Sequence, residues 1–192
     1  MKKLSEKIAE VEQLIKDAGI QSVSFDIDGT LYAMDKVKKE WWKNFFLSPL
    51  RAMKFYRIKQ AWEKKRNGSD KFAPLEADVD YFENYLLTLL NPEFVPAIVR
   101  TWISELKSRG IKILFITDHG ARQKLDVLKL NDIGARVNCL RETGNLKPHP
   151  DITSLLIQTY QITPLTHLHL GDRWTDEEQA RLLGCTYRYF AP

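Results

Sequence analysis

The sequence predicts an α/β protein, a Rossmann-like parallel sheet flanked by helices, interrupted early by a small all-helical insertion. Apolar runs of strand length alternate with amphipathic stretches of helix length, the pattern of strands joined by crossover helices. Several runs stop at Gly or Asp, as at Gly29-Thr30 and Gly171-Asp172. From Leu31 to about Val95 the rhythm fails, over far more than the dozen or so residues a crossover needs.

The elements follow in order. Leu4, Ile8, Val11 and Ile15 recur at helical spacing before Gly19, predicting a helix over 3–18. Val23, Phe25 and Ile27 alternate with small or acidic residues, a strand running into a tight turn. In the insertion, Trp41, Trp42, Phe45, Phe46, Phe55, Tyr56, Trp62, Tyr81, Phe82 and Tyr85 fall at spacings that suggest a separate helical bundle, its aromatic residues mostly core, with a turn at Asn67-Gly68-Ser69-Asp70. Beyond Pro96, Ile98, Val99, Trp102, Ile103 and Leu106 form a helical face closed by Gly110, followed by a buried strand over 111–116. Helices are predicted at 120–130, 150–160 and 175–183, and strands at 168–170 and 186–190. The expected division is a core of 1–32 and 97–192 with a helical cap of 33–96.

Composition sets outer bounds. The 44% apolar and 28% charged content of these 192 residues is ordinary for a globular protein. No apolar run approaches the roughly 20 residues that span a bilayer, and Met1 to Asp17 lacks the apolar centre of a secretory signal. Cys139 and Cys185 are too few and too separated for a disulfide framework or a zinc site. A cytoplasmic protein with no membrane partner is expected. The net charge of +4 is uneven: between Tyr32 and Phe72 twelve bases face four acids, and the remainder is net negative. Such a stretch attracts anions. A solvated face is the simpler reading; docking of nucleic acid or an acidic protein, for example through Lys64-Lys65-Arg66, is the sharper one.

Four short motifs sit at or near strand ends: Asp26-Ile27-Asp28-Gly29-Thr30-Leu31, Thr117-Asp118, Lys147-Pro148, and Gly171-Asp172-Arg173-Trp174-Thr175-Asp176. Ligands of open parallel sheets bind beyond the carboxyl ends of strands, so these motifs are candidates for one site. Asp26 and Asp28 lie two apart on one side of an extended segment. With Asp172 and Asp176 they form a cluster that repels itself unless a cation neutralises it. All-oxygen ligation suits Mg2+. Lys147 and the Thr117 hydroxyl suit phosphate oxygens. A carboxylate nucleophile, a hard cation and a phosphate cradle describe phosphoryl transfer.

The motif Asp26-x-Asp28-Gly29-Thr30-Leu31 resembles the nucleophile signature of the haloacid dehalogenase superfamily. Thr117, Lys147-Pro148 and Gly171-Asp172-x-x-x-Asp176 resemble its other three motifs in the same order. The resemblance covers roughly residues 20–32 and 97–190, and the insertion stands where that family carries a helical cap. It implies a Mg2+-dependent phosphatase acting on a small phosphorylated metabolite. Asp26 would attack phosphorus, Asp28 would serve as general acid and base, and Thr117 and Lys147 would hold the phosphoryl oxygens. Asp26, the Asp28 backbone carbonyl, Asp172 and Asp176 would hold the metal. Thr30, Asp118, His119 and Arg173 are candidates for substrate contact or support. Asp118 stands where the family very often has Asn, adding negative charge near the phosphate position. His149 and His119 flank motifs, but His119, His149, His167 and His169 do not suggest a metal set. A phosphomutase on a sugar phosphate and a non-catalytic docking protein are the alternatives; Asp28 and Thr30 argue against a dehalogenase.

Overall fold

The structure, a computed structural model, describes residues 3–66 and 75–192, apart from the Lys65 side chain; the turn predicted at 67–70 lies outside them. Helix α1 (Leu4–Asp17) leads into strand β1 (Ser22–Asp26). Three helices follow, α2 (Met34–Leu47), α3 (Pro49–Arg66) and α4 (Glu76–Leu87). The chain then resumes its alternation: α5 (Ala97–Ser108), β2 (Lys112–Thr117), α6 (Ala121–Val127), β3 (Ala135–Asn138), α7 (Cys139–Thr143), α8 (Pro150–Gln158), β4 (His167–Gly171), α9 (Trp174–Leu183) and β5 (Thr186–Tyr189).

The five strands are all parallel, in the order β3-β2-β1-β4-β5. β1 is therefore central, with Asp26 beside Ile116 of β2 and Phe25 beside Leu170 of β4. On one face Phe25 meets Trp102 edge-on at 5.6 Å and Phe115 at 6.0 Å. Leu114, Ile116, Val137, Ile152 and Leu156 fill a second core. The registered residues Ser22, Ser24, His167 and His169 form a polar seam across β1 and β4. Ser22 Oγ lies 2.7 Å from His167 Nδ1, and Ser24 Oγ lies 2.8 Å from His167 Nε2 and 2.7 Å from His169 Nδ1. Burial lowers both imidazole pKa values, that of His167 to about 3, so the seam is neutral.

Two elements differ from expectation in kind. β3 and α7 are absent from the sequence reading, because Ala-Arg-Val-Asn has only one fully buried side chain, Val137, and forms an edge strand. Boundaries differ too: β1 ends at Asp26 instead of running through Ile27, and α6 ends at Val127.

The insertion is helical, as predicted, and it packs over the carboxyl edge of β2. Phe55 stacks on Phe82 at 4.4 Å and 13°, and Trp62 lies 4.7 Å from Phe82. Phe82 in turn sits edge-on to His119 of the β2–α6 loop at 4.5 Å. Buried Glu83 of α4 accepts the Gly120 N–H at 2.7 Å and an Arg141 N–H at 3.0 Å. Its aromatic residues are not uniformly core: Phe55, Trp62, Phe82 and Tyr85 are buried, whereas Trp42, Phe46 and Tyr56 are exposed. Among the described residues no helix is long and apolar enough to cross a membrane.

Candidate active site

The loops after β1, β2 and β4 and the segment before α8 meet under the insertion. Asp26 terminates the central strand and is 5% exposed. An unpaired carboxylate there is costly to bury, and Lys147 answers it: its ammonium donates to Asp26 Oδ1 and to Asp176 Oδ1, each at 2.6 Å. Carboxylate oxygens of Asp26, Asp172 and Asp176 lie within 4.8 Å of one another. Two glycines allow this approach. A Cβ on Gly29, whose φ is +94°, would fall 2.2 Å from Asp172 Oδ2, and one on Gly171 would fall 2.3 Å from the Asp176 Cβ.

The cluster offers oxygen only, and Asp172 Oδ1 is buried without a hydrogen-bond partner. Burial raises the Asp172 pKa, as it does that of Asp26, which burial and the charges of Asp176 and Asp28 carry up to about 8 against the pull of Lys147. Three crowded carboxylates, one with an orphaned oxygen, fit a hard divalent cation. Asp176 also accepts the Arg173 N–H at 3.2 Å, closing the first turn of α9.

The Asp28 side chain turns away from this group. It accepts from Thr117 Oγ1 at 3.2 Å, from the Tyr32 hydroxyl and from the Lys124 ammonium. Lys124 is 1% exposed and also donates to Thr117 Oγ1 at 3.0 Å. Burial would raise the Asp28 pKa, but the Lys124 charge and these hydrogen bonds outweigh it and hold Asp28 as a carboxylate. Sequence reading missed Lys124, although the signal was present. Ala121, Lys124, Leu125 and Leu128 form an i, i+3, i+4, i+7 stripe, which puts the lysine on the buried face of α6.

Asp118, read as surplus negative charge beside the phosphate position, is fully engaged instead. Its Oδ1 accepts the Lys147 N–H at 2.8 Å, and its Oδ2 accepts from Arg66 of α3 at 2.7 Å. Arg66 thus points inward, its side chain 8% exposed, and is unavailable to an exposed Lys64-Lys65-Arg66 docking surface. Thr30 is fully buried, its Oγ1 has no hydrogen-bond partner among the described residues, and it is not one of the cavity-lining side chains, which leaves support as its candidate role. His119 lines the cavity between Trp62 and Phe82, and burial drives its pKa well below the ordinary value. Among the other histidines, His149 caps α8 by accepting the Asp151 N–H at 3.2 Å, and His169 Nε2 stands 3.6 Å from Asp176 Oδ1. Arg173 reaches the cavity, whereas Trp174 is 60% exposed.

Above Asp26 and Asp28 lies a cavity of about 280 Å3, closed on its far side by the insertion through Trp41, Trp42, Phe55, Tyr56 and Trp62. Sheet order, strand-end carboxylates and helices inserted after β1 define the class: an α/β protein with a carboxylate-lined cavity at the sheet edge, covered by inserted helices.

The chain belongs to the haloacid dehalogenase-like hydrolase family, whose profile matches residues 20–184. Solved structures of the same fold include a phosphatase of this superfamily from Thermococcus onnurineus, with 21% identity and a TM-score of 0.62 over 88% of this chain and 85% of that one. A β-phosphoglucomutase from Clostridium difficile has 16% identity and a TM-score of 0.59 over 88% and 83%. An L-2-haloacid dehalogenase from Xanthobacter autotrophicus has 18% identity and a TM-score of 0.59 over 88% and 76%. These likenesses establish the fold, and the fold carries three chemistries. No curated protein sequence matches the chain.

Proposed function

We propose that this hydrolase is a Mg2+-dependent phosphatase acting on a small phosphomonoester through an aspartyl-phosphate on Asp26. The observation that carries the reading is the Lys147 ammonium bridging Asp26 and Asp176, with Asp172 in the same 4.8 Å group. Asp26, Asp172, Asp176 and the Asp28 backbone carbonyl are the groups that would hold the cation, which when bound offsets negative charge on the carboxylates and the phosphoryl oxygens.

In this reading Asp26 attacks phosphorus while Lys147 and Thr117 take the charge moving onto the phosphoryl oxygens. Asp28, held as a carboxylate by Lys124 and Tyr32, accepts the proton of the water that later opens the acyl phosphate. For its acid half it needs a proton, which the monoanion of a phosphomonoester, with a second pKa of about 6, carries into the site. The test is phosphate release from 4-nitrophenyl phosphate with Mg2+. We expect activity in the native chain and a loss of about 10⁴-fold or more in Asp26→Asn; undiminished release from the variant contradicts the mechanism.

A further inference from the structure

One face of α3 enters the cavity with Phe55, Lys59, Trp62 and Arg66, an i, i+4, i+7, i+11 stripe. Its two cations differ. Arg66 is matched by Asp118 at 2.7 Å. Lys59, half-buried in a cavity wall that also carries Trp41, Tyr56 and Trp62, makes no ion pair or hydrogen bond among the described residues. Glu63, one turn on, lies 3.9 Å from Arg66 Nε. Burial lowers the Lys59 pKa, the penalty for withdrawing an ammonium from water, and neighbouring Arg173 and Lys38 add to it; the charges of Glu63 and Asp28 offset it only in part. A cation kept at that cost awaits an anion. The transferred phosphoryl group already has Lys147 and Thr117 on the sheet side. Lys59 stands on the opposite wall, among the rings where a leaving group would lie.

We propose that this wall is a leaving-group subsite, taking a planar or apolar body that carries its own anionic group, paired with Lys59. The inference rests on the phosphatase reading for the placement of the leaving group, and it is tested both with and without turnover. The substrates are 4-carboxyphenyl phosphate and its neutral isostere 4-carbamoylphenyl phosphate; the ligands, followed by calorimetry, are 4-hydroxybenzoate and 4-hydroxybenzamide.

The native chain is expected to favour the carboxylate about tenfold in kcat/KM and in Kd, the size of one charge-assisted contact. Lys59→Gln is expected to bring both ratios near unity, and Lys59→Arg to keep them. Equal handling of carboxylate and amide by the native chain overturns the subsite and leaves the phosphatase standing. So does a Lys59→Gln loss that falls equally on both substrates, since that assigns Lys59 to the transferred phosphoryl group. Preferential binding of the carboxylate without phosphate release keeps Lys59 as an anion site but removes the phosphatase, and with it the leaving-group role.

Discussion

The floor and the roof of the cavity are built on opposite terms. On the floor, Lys147 serves Asp26 and Asp176, Lys124 serves Asp28, and the backbone of Lys147 serves Asp118, all inside a region almost closed to water. The roof is made of rings, some half-exposed, around the Lys59 ammonium, which has no ion-pair or hydrogen-bond partner among the described residues, with Lys38 beside it on the cavity wall. In low dielectric a polar network must be complete or it is costly; a roof nearer solvent tolerates an open valence. The floor is thus a closed network of paired charges and the roof an open, largely aromatic wall.

That contrast predicts that floor substitutions reduce turnover and stability together, whereas roof substitutions alter substrate affinity alone. Replacing Lys147 by Met leaves two buried carboxylates sharing no cation. We expect phosphate release to fall about 10³-fold, and urea denaturation to show a loss of about 3–5 kcal/mol. Lys124→Met frees Asp28 from its ion pair, and kcat should drop about 10²-fold in steady-state kinetics. Should kcat survive, Lys124 is only packing. Asp118→Ala strips a partner from both Arg66 and the Lys147 N–H, costing about 3 kcal/mol in the same denaturation assay; Asp118→Asn keeps the N–H contact and should cost about half of that.

The metal-free floor also has a pH signature. Burial sets the Asp26 pKa near 8 in the folded chain against an ordinary 3.8, so its contribution to stability is complete below pH about 4 and is lost as pH rises through 8. Asp28 and Asp176 are shifted downward, so they stay ionised over that window. The melting temperature without divalent ions should therefore fall from pH 5 to pH 8, by about 2–4 °C for each kcal/mol, with Mg2+ or Asp26→Asn reducing the decline. A flat profile contradicts the assignment. The smallest change is on the roof: Trp42→Ala, at a ring 55% exposed, should alter stability by no more than about 0.5 kcal/mol while raising KM severalfold.

The same division governs how much the sequence reveals. Asp26, Asp172 and Asp176 are legible because each ends or follows a strand or opens a helix, and Lys147 because it stands beside Pro148 just before α8; a parallel sheet brings such positions to one edge. Lys124 was hidden in plain helical periodicity, since a lysine on a buried stripe looks like a solvated one until its partner is placed. The engagement of Asp118 depends on Arg66, 52 residues away across the insertion, a pairing no local pattern encodes. β3 escaped because an edge strand with Arg136 and Asn138 has too little apolar content to announce itself. The roof was least legible: helical spacing of aromatics shows that helices form, not which rings turn toward the sheet.

The central claim is that Asp26 takes the phosphoryl group. An Asp28→Asn variant given 4-nitrophenyl phosphate and Mg2+ should accumulate the acyl phosphate, because an aryl leaving group departs without an acid while hydrolysis still needs the base. A borohydride quench then converts the modified aspartate to homoserine, which peptide mass spectrometry locates. The account predicts homoserine at position 26 and nowhere else; a burst of nitrophenol with an unmodified Asp26, or with the mark on another carboxylate, contradicts it.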